Sequence, residues 1–564
     1  MTRTGGLLRL APALTLVLLI GPVMAGLAGT IAPAFGFATG RAPGFAAFQA
    51  LADWPGLPRA AWLSVKTGLV ATALSLAITI LLVAALSHTR FFAVIQQLLA
   101  PLLSVPHAAA ALGLAFLIAP SGWVARAVSP WATGWTDPPD LLILNDPGGM
   151  ALILGLVAKE VPFLLLMTLA ALPQTDAARR MAVAASLGYG RTMGFMLTVL
   201  PALYPQLRLP VYAVLAYAMT AVEMAMILGP TLPHTLSAQV VIWMTDASLS
   251  HRGTAAAGAT LQLGLVLGAL MLWRAGEALG RRATCAIAEA GLRGTRADPA
   301  TRILAGGAAL IVAGALIAGL AGLALWSVAG LWTFPQAVPQ SLSLATWARA
   351  APDLAATAGV TLALGLLSTA VALALVLACL EAEHRFGLTP GARAIWLLYL
   401  PLIVPQVAFL PGLQLLALWA GADGTVWVVA AAHLVFVIPY VFLSLAPAWR
   451  AWDARIAIAG ATLGAPPGRV FWHLRLPMLL RVVLTAAAVG MAVSVGQYLP
   501  TLLIGGGRIE TLTTEAVALS SGGNRRIIGA YGLLQMVLPA LGFGLALLLP
   551  AVVFRQRRGM AVAS

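Results

Sequence analysis

Charge is what this sequence has least of: 9% of its 564 residues are Asp, Glu, Lys or Arg, against about a quarter in soluble globular domains. With 61% apolar residues and a mean hydropathy of +0.95, that scarcity excludes a water-soluble protein. Lysine is rarer still, being confined to Lys66 and Lys159. Neither follows a glycine, so there is no Gly-Lys-Ser/Thr phosphate-binding loop, which excludes an ATPase built into this chain. The two cysteines, Cys285 and Cys379, fall on one predicted side of the membrane, which argues against a structural disulfide or a cysteine metal site. Without His-Glu-x-x-His or Gly-x-Ser-x-Gly, an intramembrane enzyme has no support, and no cofactor is expected.

What the sequence does have is long apolar runs. A helix needs about 20 mostly apolar residues to cross the hydrocarbon, and long runs favour helices over the short alternating strands of a barrel. The expected fold is all-α, with about twelve transmembrane helices in two parallel six-helix repeats. Spans are predicted near 8–34, 62–86, 92–119, 148–172, 207–231 and 254–275, then near 303–331, 355–379, 394–420, 425–447, 482–504 and 527–553. Residues 1–275 and 303–564 form the two repeats, and the basic segment 276–302 links them. The N-terminal run reaching Gly26 imitates a signal peptide but reads as an uncleaved first helix, because Ile303 to Trp326 supplies its match.

The formal charge of +15 does not point to nucleic acid, since the arginines cluster between apolar runs, as at Arg179–Arg191, Arg274–Arg296, Arg450–Arg481 and Arg555–Arg558. They read as cytoplasmic topology determinants, which places both termini in the cytoplasm.

Two of these basic segments are copies of each other. Gly188-Tyr-Gly-Arg191 leads to Val199-Leu200-Pro201, and Gly464 with Arg469 leads to Leu476-Pro477; Gly188 to Gly464 and Pro201 to Pro477 are both 276 residues apart. Other pairs extend the duplication: Val105-Pro106-His107 with Val404-Pro405-Gln406, Val161-Pro162-Phe163 with Ile438-Pro439-Tyr440, and Thr235-Leu236-Ser237 with Thr511-Leu512-Thr513. Each segment predicts a short helix, a glycine turn, a second short helix and a proline entering the next span. One such loop would suit an interfacial helix resting on anionic lipid, but two in register imply paired docking points.

The pattern resembles the membrane-spanning permeases of binding-protein-dependent ABC importers, whose signature is Glu-Ala-Ala, three residues, Gly, nine residues, Ile-x-Leu-Pro. The match is carried by Gly188 with Val199, Leu200 and Pro201, and by Gly464 with Leu474, Leu476 and Pro477. The signature glutamate falls on Ala182 and Ile458, so both copies lack it. The fused form resembles the thiamine and iron(III) branch, and the stretch from Gln497 to Arg526 the YnjC-like permeases. This resemblance implies a type I importer fold in a bacterial inner membrane. It also implies two copies of a separate ATPase gripping the loops at Gly188, Arg191, Pro201, Gly464, Arg469 and Pro477, and a periplasmic solute-binding protein.

Ionisable groups at membrane depth are costly and are therefore functional candidates. Glu223, ahead of Met224, Met226 and Gly229-Pro230, is the pathway candidate, with Gln497 and Tyr498 at the comparable place in the second half. A carboxylate there suits a cationic solute such as thiamine, or else iron(III); packing against a neighbouring helix is the competing role. Lys159 and Glu160, being consecutive, cannot share a helix face and are poor partners. Gln206, Gln262, Gln535 and Tyr531 read as interhelical hydrogen-bonding residues. The alternatives to an importer subunit are an ion-coupled carrier with six plus six helices and a membrane scaffold. The first would carry a charged motif where only Ser87-His88-Thr89-Arg90 lies, and the second has no need of paired loops.

Overall fold

The computed structural model describes residues 3–37, 43–388 and 391–554, so the predicted terminal cluster at Arg555, Arg557 and Arg558 lies outside the described residues. Among these residues the regular structure is helical, apart from one isolated bridge between Ala329 and Leu342. The first half runs α1 (Arg3–Ala34), α2 (Ala46–Ala52), α3 (Leu57–Leu86), α4 (Arg90–Ser104), α5 (His107–Ile118), α6 (Trp123–Val128), α7 (Met150–Ala171), α8 (Ala177–Ser186), α9 (Arg191–Gly194), α10 (Leu200–Thr220), α11 (Val222–Leu228), α12 (Leu236–Thr245) and α13 (His251–Glu289). The second runs α14 (Asp298–Val328), α15 (Ala345–Phe386), α16 (Ala392–Ile403), α17 (Gln406–Trp419), α18 (Val426–Arg450), α19 (Ala454–Thr462), α20 (Pro467–Val470), α21 (Leu476–Met478), α22 (Leu480–Val495), α23 (Leu499–Gly505), α24 (Leu512–Ser520) and α25 (Arg525–Val553). Ten helices among the described residues are long and apolar enough to cross a membrane, or up to twelve if each of two bent pairs is one span.

Four spans expected to be continuous are broken. The helix predicted over 92–119 stops at Ser104 and restarts at His107, and that over 394–420 stops at Ile403 and restarts at Gln406 with a bend of 84°. The reason is local. Val105 and Val404 are extended, at ψ 121° and 125°, because the ring of the following proline crowds a helical conformation at the residue before it. The spans predicted over 207–231 and 482–504 break at Ala221 and between Val495 and Leu499. In the other direction, α13 runs on to Glu289, so half of the linker predicted over 276–302 continues a membrane helix.

Polar pins recur in both halves. The Leu236 amide donates to Ser64 Oγ at 3.0 Å, and the Leu512 amide to Thr361 Oγ1 at 2.9 Å, tying α12 to α3 and α24 to α15. Gln262 donates to the Met219 carbonyl at 3.1 Å, while Gln535 donates to Thr513 Oγ1 at 2.6 Å and Thr513 donates in turn to the Val495 carbonyl. These two glutamines act as predicted; Gln206 does not, being exposed.

The repeats exchange their first helices. A β-carbon added at Gly113 in α5 would lie 2.8 Å from the Gly319 backbone in α14, and one at Gly29 in α1 would lie 2.9 Å from Gly412 in α17. Each repeat's opening helix therefore crosses the other repeat's α5 or α17 at a glycine pair, where missing side chains let the backbones touch.

Candidate functional site

One face of the bundle carries the two duplicated loops, and their geometry repeats as closely as their spacing. Gly188 and Gly464 both sit at φ +79°, a left-handed conformation open to glycine. Each is preceded by a short helix, α8 or α19, and followed by a one-turn helix, α9 or α20. A π-turn then follows, Phe195–Val199 in one copy and Phe471–Arg475 in the other, before the Leu-Pro that enters the next helix. Leu187 and Leu463, at equivalent positions, are 57% and 87% exposed. Ala182 and Ile458 are exposed on the same short helices, so each loop presents apolar side chains outward.

The loops are braced differently. Asp298, near the end of the linker where α14 starts, accepts from the Arg191 amide at 2.7 Å and the Thr192 amide at 3.1 Å, capping α9 from a distance, while the Gly190 amide donates to the Arg293 carbonyl at 2.7 Å. Arg191 Nη2 also donates to Ser87 Oγ at 3.0 Å. Partial burial, reinforced by the Arg191 and Arg302 guanidiniums, pushes the nearby His88 imidazole below its ordinary pKa. In the second copy Arg475 is buried, pairs with Glu381 at 3.1 Å and stacks over Trp449 and Trp452 at 4.6 and 4.7 Å. Asp453 begins α19 there, and its hydrogen bonds from Arg455 hold its carboxyl below the usual carboxylate range.

A polar cluster lies at mid-depth, where the helices break. Glu223, 8% exposed in the first turn of α11, accepts a hydrogen bond from Tyr217 Oη at 2.8 Å. The Tyr217 ring packs against His107 with centroids 4.7 Å apart, and His107 Nε2 stands 3.7 Å from Glu160 Oε1. Tyr440 is within electrostatic reach of Glu160, and Tyr498 within that of Glu223. Lys159 turns away from this group. Its Nζ donates to the Val105 carbonyl at 2.6 Å and the Leu102 carbonyl at 3.2 Å, closing the open end of α4. Of the predicted pathway residues, Glu223 lies in the cluster and the buried Tyr498 is within its electrostatic reach, whereas Gln497 is only partly buried in the break before α23. His107, Glu160, Tyr217 and Tyr440 join the cluster without having been singled out as pathway residues. The Val105-Pro106-His107 and Ile438-Pro439-Tyr440 duplications and the intramembrane charge of Glu160 were the signals that pointed to this depth.

Paired glycine-turn loops on one face and a buried acidic cluster between two interlocked six-helix repeats define a membrane transport subunit. The chain belongs to the ABC transporter permeases. It is 33% identical over 518 residues to the inner membrane ABC transporter permease protein YnjC of Escherichia coli (strain K12), covering 91% of this chain and 92% of that protein. It is 32% identical over 148 residues to the molybdenum transport system permease protein ModB of Mycobacterium tuberculosis, covering 24% of this chain and 56% of ModB. A spermidine/putrescine transport system permease protein PotC homolog of Mycoplasma genitalium is 28% identical over 111 residues, or 20% of this chain and 38% of that one. No protein-family model matches the chain. Its kinship is with transporter subunits rather than enzymes, and its setting is a membrane.

Proposed function

We propose that this chain is the membrane-spanning subunit of an ATP-driven importer, in which two copies of a separate ATPase seat on the loops at Gly188 and Gly464 and an external binding protein delivers solute to the opposite face. The observation that carries this reading is the repeated loop geometry: identical φ at the two glycines, matched π-turns 276 residues apart and exposed Leu187 and Leu463. A helix that merely rests on lipid has no reason to keep its turn geometry in register with a second copy. The loop face is then cytoplasmic, together with both termini, and the membrane is a bacterial inner membrane.

The solute path runs between the repeats through the mid-depth cluster. Lys159 offsets one of the two buried carboxylates, Glu160 and Glu223, leaving an excess of one negative charge beside Tyr217, Tyr440, Tyr498 and the His107 ring. An acidic site walled with aromatic faces supports a ring-bearing organic cation such as thiamine over bare iron(III).

Single cysteines at Ala185 and Ala461, both exposed on their short helices, test the docking half of this reading. In inverted vesicles holding the assembled system, both should cross-link to the ATPase. Labelling of both positions only from the periplasmic side would overturn topology and function together.

A further inference from the structure

On the face opposite the loops, α6, the end of α14 and the start of α25 border an open cavity of about 570 Å³ whose lining includes Ser121, Arg126, Trp326, Asn524, Arg525 and Arg526. Three arginines meet there and no acidic residue does. Arg126 is 4% exposed, donates from Nη1 to the Thr333 carbonyl at 2.8 Å and from Nε to the Ser121 carbonyl at 3.0 Å, and lies over Trp332 and Trp326 at 5.0 and 5.6 Å. Arg525 converges on the same groups. It donates to the Ser121 carbonyl at 3.0 Å and to Ser121 Oγ at 2.6 Å, and stacks 5.2 Å from the Trp326 ring centroid. Arg526 donates to the Gly330 carbonyl. Among the described residues, none of the three has a carboxylate at ion-pair distance.

A purely structural role, stapling the 329–344 loop to α6 and α25, accounts for the bonds to carbonyls but not for the charge. Two guanidiniums sharing one indole and one carbonyl repel each other, and Arg525 and Arg526 also sit at the N-terminus of a 29-residue helix, where the helix dipole disfavours cations. Cation–π contact offsets part of that cost, yet three like charges gathered without a counterion, Arg126 buried and Arg525 and Arg526 half-buried, call for an anion. Arg126 Nη2 and Arg525 Nε have no protein acceptor among the described residues and remain available to one.

We propose that this cavity binds an oxyanion of the phosphate class, and its position points to the headgroup phosphate of an anionic phospholipid. The helices that frame it are lipid-facing, with only 28% of the apolar window of α14 and 17% of that of α25 buried inside the protein. The indoles of Trp326 and Trp332, buried beside the arginines at the end of the membrane helices, place the cavity at the depth where headgroups meet aromatic side chains.

Native mass spectrometry of the full-length protein in mild detergent tests this, with phosphatidylglycerol, phosphatidylcholine and inorganic phosphate added in separate arms. Phosphatidylglycerol should be retained roughly tenfold or more tightly by the unaltered protein than by the Arg525→Gln/Arg526→Gln variant. Arginine-dependent retention of inorganic phosphate in place of lipid would keep the oxyanion site and assign it to free phosphate. Gly523→Asp, at an exposed cavity-lining position with nothing within 4 Å of the added β-carbon, guards against a misfolded double variant. By supplying its own counterion it should abolish lipid retention while raising the melting temperature in anion-free detergent. Equal retention of both phosphate probes by all three proteins would overturn the proposal. So would arginine dependence seen only with an acidic external binding protein, which would make the cavity a protein-docking site.

Discussion

Glu223 carries two roles that one atom change separates. Its carboxylate accepts the Tyr217 hydroxyl at 2.8 Å, and it places a negative charge at mid-depth. Glu223→Gln keeps an acceptor oxygen for Tyr217 and removes the charge. If the solute is a cation, its uptake should fall by roughly tenfold, about 1.4 kcal/mol, a fraction of what Coulomb attraction supplies at a few ångströms in a partly screened interior. Tyr217→Phe, which deletes the hydrogen bond and keeps the charge, should cost less. Uptake measured with the cognate binding protein decides the matter, and equal losses in the two variants would reduce Glu223 to a packing residue. Gln497→Glu should not impair a cation, because it adds negative charge to the same passage.

Among the elements, the loops depend on backbone conformation more than on contacts. Nothing lies within 4 Å of a β-carbon added at Gly464, so the main cost of Gly464→Val is that of φ +79°, on the order of 1–2 kcal/mol and more for a β-branched side chain. Gly464→Val should insert normally and lower solute-stimulated ATP hydrolysis several-fold in proteoliposomes, whereas Gly464→Asn, which tolerates the left-handed region, should stay near the unaltered rate. Full coupling in the valine variant would show that the turn is not what transmits the stroke. Gly188 is a poorer place for this experiment, because a β-carbon there would meet Arg293 Nη1 at 2.7 Å and so disturb the linker too.

At the level of the whole molecule, the exchanged first helices make the two repeats one body. The Gly412 amide donates to Thr30 Oγ1 at 2.9 Å, and a β-carbon at Gly412 would run into the α1 backbone at Gly26. Gly412→Leu should therefore destabilise the bundle by ~1–3 kcal/mol, the usual cost of overpacking, seen as a lower melting temperature in detergent. Gly264→Leu, with nothing near its β-carbon, is the control and should melt like the unaltered chain. Identical melting of the two variants would mean that the crossing is looser than these distances say.

Hydropathy and spacing are one-dimensional, and what depends on them alone was legible from the residues: a membrane setting, helices rather than strands, about twelve spans and two loops offset by 276 residues. The glycine turns could be read too, since a left-handed φ demands a particular residue type at a particular position. The mid-depth breaks were half visible in Pro106 and Pro405, but apolar runs continue through them, so hydropathy read each pair as one helix. Which side chains meet was another matter. Glu223 stood out because a carboxylate at membrane depth is rare, yet Tyr217, Tyr440 and His107 suit any helix interface, and only the rotation and crossing of α5, α7, α10, α11 and α18 brings them beside Glu160 and Glu223. The same holds for Arg126 and Arg525, 399 positions apart in the chain, which share one serine because α14 crosses into the other repeat. Composition shows which groups a membrane chain can bury; the packing of its helices decides which of them share a site.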